Sequence, residues 1–183
     1  ETTNKTEILF FSDKQCLYKV KAHELAECKA SSLGEYLNNI LPMEQDEKIV
    51  YMLEPNGYKG YMLFAYENGK IAKIEMSAYE TKTFRRKLVN AYSNKAPLAK
   101  MLYISAMLVN SELVPQKQTK SSGGVQIYTL KKNSKVTNMM YMTDFKSENI
   151  EYYRSTKIPA TGHFINEQDK IDNDIPRQIG LFE

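Results

Sequence analysis

The sequence predicts an all-β protein, built as a propeller-like array of short four-stranded units. The 183-residue chain has 13 tyrosines, no tryptophan and only 8 glycines, and tyrosine, like the β-branched residues, suits pleated, half-buried strands. A strand–turn–strand pattern occurs twice at a constant spacing. Each copy, together with the strands predicted after it, spans roughly fifty residues, which is the size of one propeller blade.

The repeat begins with a hairpin pattern over residues 8–20 and again over residues 62–74. In each copy an apolar strand is followed by a polar turn and an alternating strand. Corresponding residues lie 54 positions apart without a gap: Leu9 and Leu63, Phe10 and Phe64, Leu17 and Ile71, Lys19 and Lys73, and Val20 and Ile74. Residues 13–15 suit a turn, and the Asn-Gly pair at 68–69 is a strong hairpin signal.

Four elements follow each hairpin in the same order: a segment of one helical turn, a basic polar loop, a third strand and a fourth strand. In the first unit they cover residues 22–26, 28–34, 35–41 and 48–53, and in the second unit residues 76–80, 82–87, 88–92 and 100–104. The helical signals are weak elsewhere, so the units are expected to be built from strands and loops.

A third copy of the basic loop and third strand lies at residues 118–130. Its Gly124 matches Gly34, but 90 residues further on instead of the 108 that two full periods require. The third unit is therefore short, with the gap near residues 104–107; either the repeat is degenerate or part of its hairpin is missing. The predicted organisation is a blade at residues 1–57, a blade at 58–104, a shortened blade at 105–150, and a closing segment and tail at 151–183, with 167–177 expected to be mobile.

Composition excludes several classes of protein. The net charge of +3 is a mild excess that by itself fits an ordinary solvated surface. The two cysteines, Cys16 and Cys28, have no spacing typical of a zinc site or a disulfide framework, and a reducing cytosol fits them best. No apolar run approaches the ~20 residues that span a bilayer. Because the chain starts at Glu1 and not at Met, we expect it to be a piece of a longer protein.

No set of residues forms a catalytic motif. His23 and His163 have no serine or cysteine partner at a motif spacing. The acidic residues at 44–47 and 172–174 are typical of solvated loops, and Ser122-Gly-Gly lacks the Lys-Ser/Thr of a phosphate loop. The sequence therefore predicts no catalytic, cofactor-binding or metal-binding residue, and a small stand-alone enzyme is the least favoured class.

The basic loops are the candidate binding residues. Lys82, Arg85, Arg86 and Lys87 form the densest cluster, and Lys29, Lys117 and Lys120 fall at similar places in their repeats. In one disc these loops would lie side by side along a rim, and a curved row of cations gains affinity for DNA by releasing counterions. The alternative is that each loop only keeps the protein soluble. Lys19 and Lys73, at equivalent strand positions, either extend the phosphate track or keep exposed strand faces soluble.

These repeats resemble a known family. Residues 8–25 are similar to the repeat that builds the C-terminal domain of DNA gyrase and topoisomerase IV A subunits, which are bacterial type II topoisomerases. Residues 37–49 resemble the family's third strand and its approach to the fourth. Residues 64–74 resemble a second repeat and residues 124–132 a third. The resemblance covers about residues 6 to 135. It implies a β-pinwheel, a disc whose four-stranded blades exchange strands with their neighbours, here as a partial ring of about three to four blades.

The resemblance also implies a function. Domains of this family bind duplex DNA around the rim and bend or wrap it, independently of sequence, because phosphate contacts do not read bases. The domain itself would be non-catalytic and hold no cofactor. The implied partners are duplex DNA, an ATPase B subunit and the rest of the A subunit, in a parent enzyme that uses ATP and Mg²⁺ in the bacterial cytoplasm, associated with the nucleoid.

Two departures from the family leave alternatives open. The family domain has five or six blades, whereas two complete units and one partial unit are visible here. The basic, glutamine- and glycine-rich box of gyrase A subunits is not seen, so gyrase and topoisomerase IV both stay open. A propeller-like module that binds another protein and not DNA is the alternative function, since a fold does not dictate its use.

Overall fold

The computed structural model describes residues 3–29, 31–104, 112–130, 135–136, 139–160, 163 and 165–174. Most of their regular secondary structure is strand: β1 Glu7–Ser12, β2 Leu17–Lys21, β3 Ile49–Leu53, β4 Tyr61–Tyr66, β5 Lys70–Glu75, β6 Lys87–Leu88, β7 Leu98–Ile104, β8 Gln116–Lys117 and β9 Val125–Gln126. The two short α-helices are α1 Leu37–Ile40 and α2 Glu167–Asp172. Single 3-10 turns cover Ala22–Glu24, Asn56–Tyr58, Met76–Tyr79, Met142–Asp144 and Ile150–Tyr153.

The strands form two sheets. The first has the order β3-β1-β2-β6, and the second has the order β7-β4-β5, with β8 and β9 both paired to the outer side of β5. Within each sheet, consecutive strands of the hairpin are antiparallel. This arrangement confirms the predicted all-β, propeller-like architecture.

The registers of the two hairpins are the same. Ile8 pairs with Val20 in the first hairpin, and Met62 pairs with Ile74 in the second, 54 residues further on. Both hairpins carry an irregularity at the same place, between Phe11 and Ser12 in β1 and between Ala65 and Tyr66 in β4. The predicted hairpins, fourth strands and single turns after the hairpins are confirmed.

Strands are exchanged between the units. By sequence β6 belongs to the second unit, but it pairs with β2 of the first, where Leu88 lies opposite Leu17. In the same way Val125 of β9 pairs with Ile71 of β5, the residue equivalent to Leu17. Each hairpin is therefore completed on its outer edge by the unit that follows it in the chain.

The two sheets pack face to face around one apolar core. Its aromatic centre joins both units: the rings of Phe11 and Phe64 lie 6.0 Å apart, those of Phe11 and Tyr79 5.4 Å, and those of Phe64 and Tyr92 5.5 Å. The opposite face of the first sheet carries a second cluster, in which Leu41 packs against Phe10, Tyr18 and Val20. Alternate residues of one strand thus serve two cores, as expected of a central strand in a stack of sheets.

Two sequence-based predictions of secondary structure are wrong. Residues 35–41 do not form a third strand: Leu37–Ile40 is a helical turn, which places Leu41 in the second cluster. Residues 88–92 extend as a strand only to Leu88, and Asn90 then takes a positive φ of 54°. Within the predicted mobile tail, α2 forms, and the Asn166 side chain caps it by accepting the Asp169 N–H at 2.7 Å; the mobility of residues 167–177 stays a prediction. Residues 105–107 and 175–177, which also bear on these predictions, lie outside the described residues.

Candidate nucleic-acid interface

Two of the basic segments lie at equivalent places in the fold. The loop with Lys82 and Arg85 leads into β6 along the outer edge of β2, where the Lys19 N–H donates to the Arg86 carbonyl at 2.9 Å. The segment with Lys117 and Lys120 belongs to the third unit and runs between β8 and β9, which pair with β5. Because β5 corresponds to β2, both basic segments follow the outer edge of the second hairpin strand of the preceding unit.

Lys82 and Arg85 are the most available cations of the loop at residues 82–87. Both are exposed, and their side chains make no hydrogen bond, ion pair or ring contact within the part of the chain that the structure describes. Lys117 is half-buried and its side chain likewise has no such contact among those residues. Such cations can turn towards a phosphate without first breaking an internal interaction.

Three other predicted cations are tied to the protein. The Arg86 guanidinium forms an ion pair with Glu24 at 2.6 Å. The Lys87 ammonium lies 5.3 Å from the centre of the Tyr18 ring, and the Lys120 ammonium lies 5.7 Å from that of Tyr79. Burial lowers the pKa of Lys120. A phosphate would have to compete with these contacts, so these residues are weaker candidates than Lys82 and Arg85.

Lys19 and Lys73 are buried, and the prediction that their side chains lie at an exposed strand face is wrong. Their exposed fractions are 1% and 7%. The Lys19 ammonium lies 4.8 Å from the Tyr58 ring centre and 3.3 Å from the Thr81 hydroxyl, and that of Lys73 lies 4.6 Å from the Tyr61 ring centre. Burial lowers the pKa of Lys19, although Glu7 at 3.9 Å acts in the opposite direction. At Lys19 the strand faces the next unit and not the solvent.

Substitution tests this burial. Lys19→Met is expected to leave duplex affinity within about twofold of the wild type, because a buried ammonium neutralises no phosphate. Methionine keeps the volume and the contact with the Tyr58 ring. Fluorescence anisotropy with a labelled duplex measures the affinity, and a loss as large as that of an exposed cation would contradict the expectation.

Lys29 does not lie at the outer edge of β2 or of β5 in the described structure. It is exposed in the segment 26–36, which forms no strand in its described residues. In the same segment Leu33 and Tyr36 are exposed, with exposed fractions of 106% and 82%. The equivalent segments of the second and third units pair with a preceding hairpin, so Lys29 stands apart from the row that those units form.

A second site with two lysines was not predicted from the sequence. Lys70 and Lys95 line a small cavity beside Ser93, near the β4–β5 turn. Neither lysine lies in a run of basic residues, so charge density does not point to them. The 54-residue offset alone could have drawn attention to the place, because Lys70 replaces the apolar Cys16 of the first unit.

The described residues offer no sign of a metal site or a membrane segment. No group of three His, Cys, Asp or Glu side chains lies close enough to hold a metal ion within these ranges. No helix in the described part of the chain has the length and apolar character to cross a bilayer.

Comparison with known proteins identifies sequence relatives among the A subunits of topoisomerases. A stretch of 85 residues is 28% identical to the A subunit of DNA topoisomerase 4 of Staphylococcus epidermidis, covering 45% of this chain and 11% of that protein. A stretch of 75 residues is 31% identical to the A subunit of DNA gyrase of Mycoplasma pneumoniae, covering 40% of this chain and 9% of that protein. The chain thus matches about a tenth of each relative. No model of a protein family matches it.

Solved structures share the fold. The C-terminal domain of DNA topoisomerase IV superimposes with a TM-score of 0.62 at 23% identity, over 75% of this chain and 47% of that one. The E. coli ParC C-terminal domain does so with a TM-score of 0.53 at 14% identity, over 70% and 56%. The resemblance inferred from the repeats is confirmed: the sequence relatives are topoisomerase IV and gyrase A subunits, and the fold is the β-pinwheel of their C-terminal domains, of which the chain spans about half.

Proposed function

We propose that this chain binds duplex DNA without reading its sequence and bends or wraps it, as part of the C-terminal domain of a bacterial type II topoisomerase A subunit. In this role it supports ATP-dependent strand passage and the control of supercoiling, and it supplies no catalytic group. The chemistry, with ATP and Mg²⁺, belongs to an ATPase B subunit together with the rest of the A subunit. The site of action is the bacterial cytoplasm, at the nucleoid.

The observation that carries the proposal is the matched position of the basic segments. The loop with Lys82 and Arg85 leads into β6 at the outer edge of β2, and Lys117 lies in β8 at the outer edge of β5. The two sheets stack face to face. A repeated cation at the edge of successive sheets suits a duplex that curves past them, since phosphates recur every ~1.7 Å of helix axis. No helix of the described residues is long enough to act as a recognition helix. This agrees with binding through the phosphate backbone of the DNA.

Charge reversal at the two available cations of the loop at residues 82–87 tests the proposal. For Lys82→Glu combined with Arg85→Glu, affinity for a long duplex is expected to fall at least about tenfold at low salt, and the slope of log K against log[salt] to fall by about two. The control is Lys14→Glu combined with Lys100→Glu, which makes the same change in net charge at exposed positions outside the basic segments.

Fluorescence anisotropy across a salt series separates the outcomes. Failure of the wild-type chain to bind long duplex at low salt would contradict DNA binding, and equal losses in both double variants would show that only net charge matters. The alternative function, binding of another protein, is favoured by one observation, the exposed Leu33 and Tyr36. Binding of another protein would be favoured over DNA binding if the Lys82/Arg85 variant bound DNA as the wild type does.

A further inference from the structure

The two complete repeats can be superimposed residue by residue where the fourth strand meets the hairpin. The Asp13 N–H donates to the Lys48 carbonyl at 2.9 Å, and the Glu67 N–H donates to the Pro97 carbonyl at 3.0 Å. Hairpin residues therefore correspond at a spacing of 54 and the residues before the fourth strand at a spacing of 49. By this correspondence, Ala96 of the second repeat occupies the place of Glu47 in the first.

In the first repeat this place holds an anion. The Glu47 side chain is buried, and its carboxylate accepts hydrogen bonds from the Ser12 hydroxyl, the Tyr18 hydroxyl at 2.7 Å and the Glu44 N–H at 3.0 Å. A buried carboxylate is retained only where donors converge on it. The repeat thus contains a built-in acceptor site for negative charge, and the chain fills it with its own side chain.

In the second repeat the carboxylate is missing and the place is open. A cavity of about 70 Å³ remains, and its lining residues are Tyr66, Asn68, Lys70, Ser93, Lys95, Ala96 and Gly123, of which Asn68 accepts the Lys70 N–H through its Oδ1 at 3.2 Å. By the same spacings, Tyr66 corresponds to Ser12 and Ser93 to Glu44. A volume of this size holds several water molecules, or one tetrahedral oxyanion.

The described lining residues provide hydrogen-bond donors and carry no negative charge. The Tyr66 hydroxyl accepts the Ser93 N–H at 3.2 Å, and the Ser93 hydroxyl accepts the Lys95 N–H at 3.2 Å, so both hydroxyl protons can point into the cavity. Tyr66 and Ser93 are 1% and 3% exposed, and burial raises the pKa of Tyr66 to about 12, so its proton is retained at neutral pH.

The charges at the cavity are both positive. Lys70 and Lys95 line it, and their side chains have no partner within the described part of the chain. No carboxylate is among the described lining residues, and the nearest acid in sequence, Glu67, is held by Lys135 at 3.0 Å. Two lysines and two residues with hydroxyl donors thus line one small cavity, and cations together with hydroxyl donors are the groups that bind phosphate.

We propose that the notch formed by Tyr66, Lys70, Ser93, Lys95 and Gly123 binds a phosphate group from outside the chain, in the place that Glu47 fills in the first repeat. The notch lies near the β4–β5 turn of the second unit, whereas the loop with Lys82 and Arg85 runs along β2 of the first unit, where the Arg86 carbonyl accepts the Lys19 N–H. The proposal therefore does not depend on the DNA-binding role of that loop. The phosphate belongs either to a nucleic-acid backbone or to a small phosphorylated ligand.

Titration of the 183-residue chain with inorganic phosphate, at constant ionic strength against chloride, tests the site. Saturable shifts of the Ser93 and Gly123 amide signals in ¹H–¹⁵N NMR spectra are expected. Lys70→Gln combined with Lys95→Gln should weaken the response at least about tenfold, as loss of two charge-assisted hydrogen bonds implies. The control, Lys100→Gln, removes an exposed lysine on β7 and should change nothing.

A second variant copies the first repeat. Ala96→Glu should place a carboxylate in the notch and abolish the phosphate response, with an unchanged circular dichroism spectrum. If that variant does not fold, the lysine pair decides alone. Absence of saturable shifts in the wild type, an unchanged response in the lysine pair, or an equal loss in Lys100→Gln would each overturn the site.

A duplex-binding arm distinguishes the two sources of phosphate. If the notch takes a backbone phosphate, the lysine pair should also lower the slope of log K against log[salt] for duplex DNA, by about 0.9 for each phosphate that is no longer neutralised. If the phosphate response is lost while duplex binding is unchanged, the site serves a small phosphorylated ligand. If wild-type phosphate binding is present but no duplex binds at all, the notch stands and the DNA-binding proposal fails.

Discussion

Gly124→Ala is expected to detach β9 from the second sheet. Gly124 has a φ of 77°, and a Cβ atom there would lie 2.4 Å from the Ile71 carbonyl oxygen and 2.7 Å from the Ala72 nitrogen. Both neighbours are backbone atoms of β5 and cannot turn away as a side chain would. The left-handed conformation costs an alanine about 1 to 2 kcal/mol by itself, and relief of the clash requires the strand to move, so a total loss of about 3 kcal/mol or more is expected.

Gly34→Ala is the matched control. Gly34 also has a positive φ, of 69°, but a Cβ there would meet nothing within 4 Å. Its variant should lose only the conformational cost of about 1 to 2 kcal/mol. Hydrogen exchange at the Ile127 amide, which donates to the Gly69 carbonyl at 3.0 Å, should accelerate in the Gly124 variant and stay unchanged in the Gly34 variant. Equal protection in both would show that β9 does not need a glycine.

Glu47→Ala is expected to destabilise the first repeat by about 2 to 4 kcal/mol at neutral pH, because it leaves buried donors without an acceptor. The donors are the hydroxyls of Ser12 and Tyr18 and the N–H of Glu44. Chemical denaturation measures the free energy of unfolding, and Asp46→Ala, at an exposed neighbouring position, should change it by less than about 0.5 kcal/mol. A loss below that limit in the Glu47 variant would mean that its carboxylate is not held as described.

The stabilisation by Glu47 should depend on pH with a defined sign. Burial alone would raise the pKa of this carboxyl, but hydrogen bonds from Ser12, the Glu44 N–H and Tyr18, aided by the Lys87 charge, outweigh it and leave the pKa below its ordinary value of 4.5. The contribution is therefore full above the pKa of the unfolded chain and is lost as the pH falls through the lower, folded pKa. The stability difference between the wild type and Glu47→Gln should shrink as the pH is lowered below 4.5.

Much of the fold could be predicted from local signals. The hairpins, their 54-residue spacing and the fourth strands are encoded by alternation and turn residues that lie close together in sequence. The third strand could not be predicted in this way, because its partner is the hairpin of another unit. Residues 35–41 meet no strand edge; Leu37–Ile40 forms a helical turn instead, and Leu41 joins the cluster on the outer face of the first sheet.

The candidate site was predicted in part. Clusters of charge located the loop of Lys82 and Arg85, because a run of cations rarely lies inside a core. Alternation could not show which face of β2 the next unit covers, and for that reason Lys19 was expected at the surface. The Lys70–Lys95 notch unites residues from three segments of the chain, and only the tertiary structure brings them together.

The pairing of β6 with β2 and of β9 with β5 makes the interface between units directional, because in both cases the later unit in the chain supplies the added strand. The second and third units each supply a strand that completes the hairpin of the preceding unit. Duplication of one whole unit by recombination would therefore preserve every interface, whereas insertion of half a unit would leave a hairpin unfinished. The number of blades in such a disc can change over evolutionary time in whole steps, without redesign of any single interface.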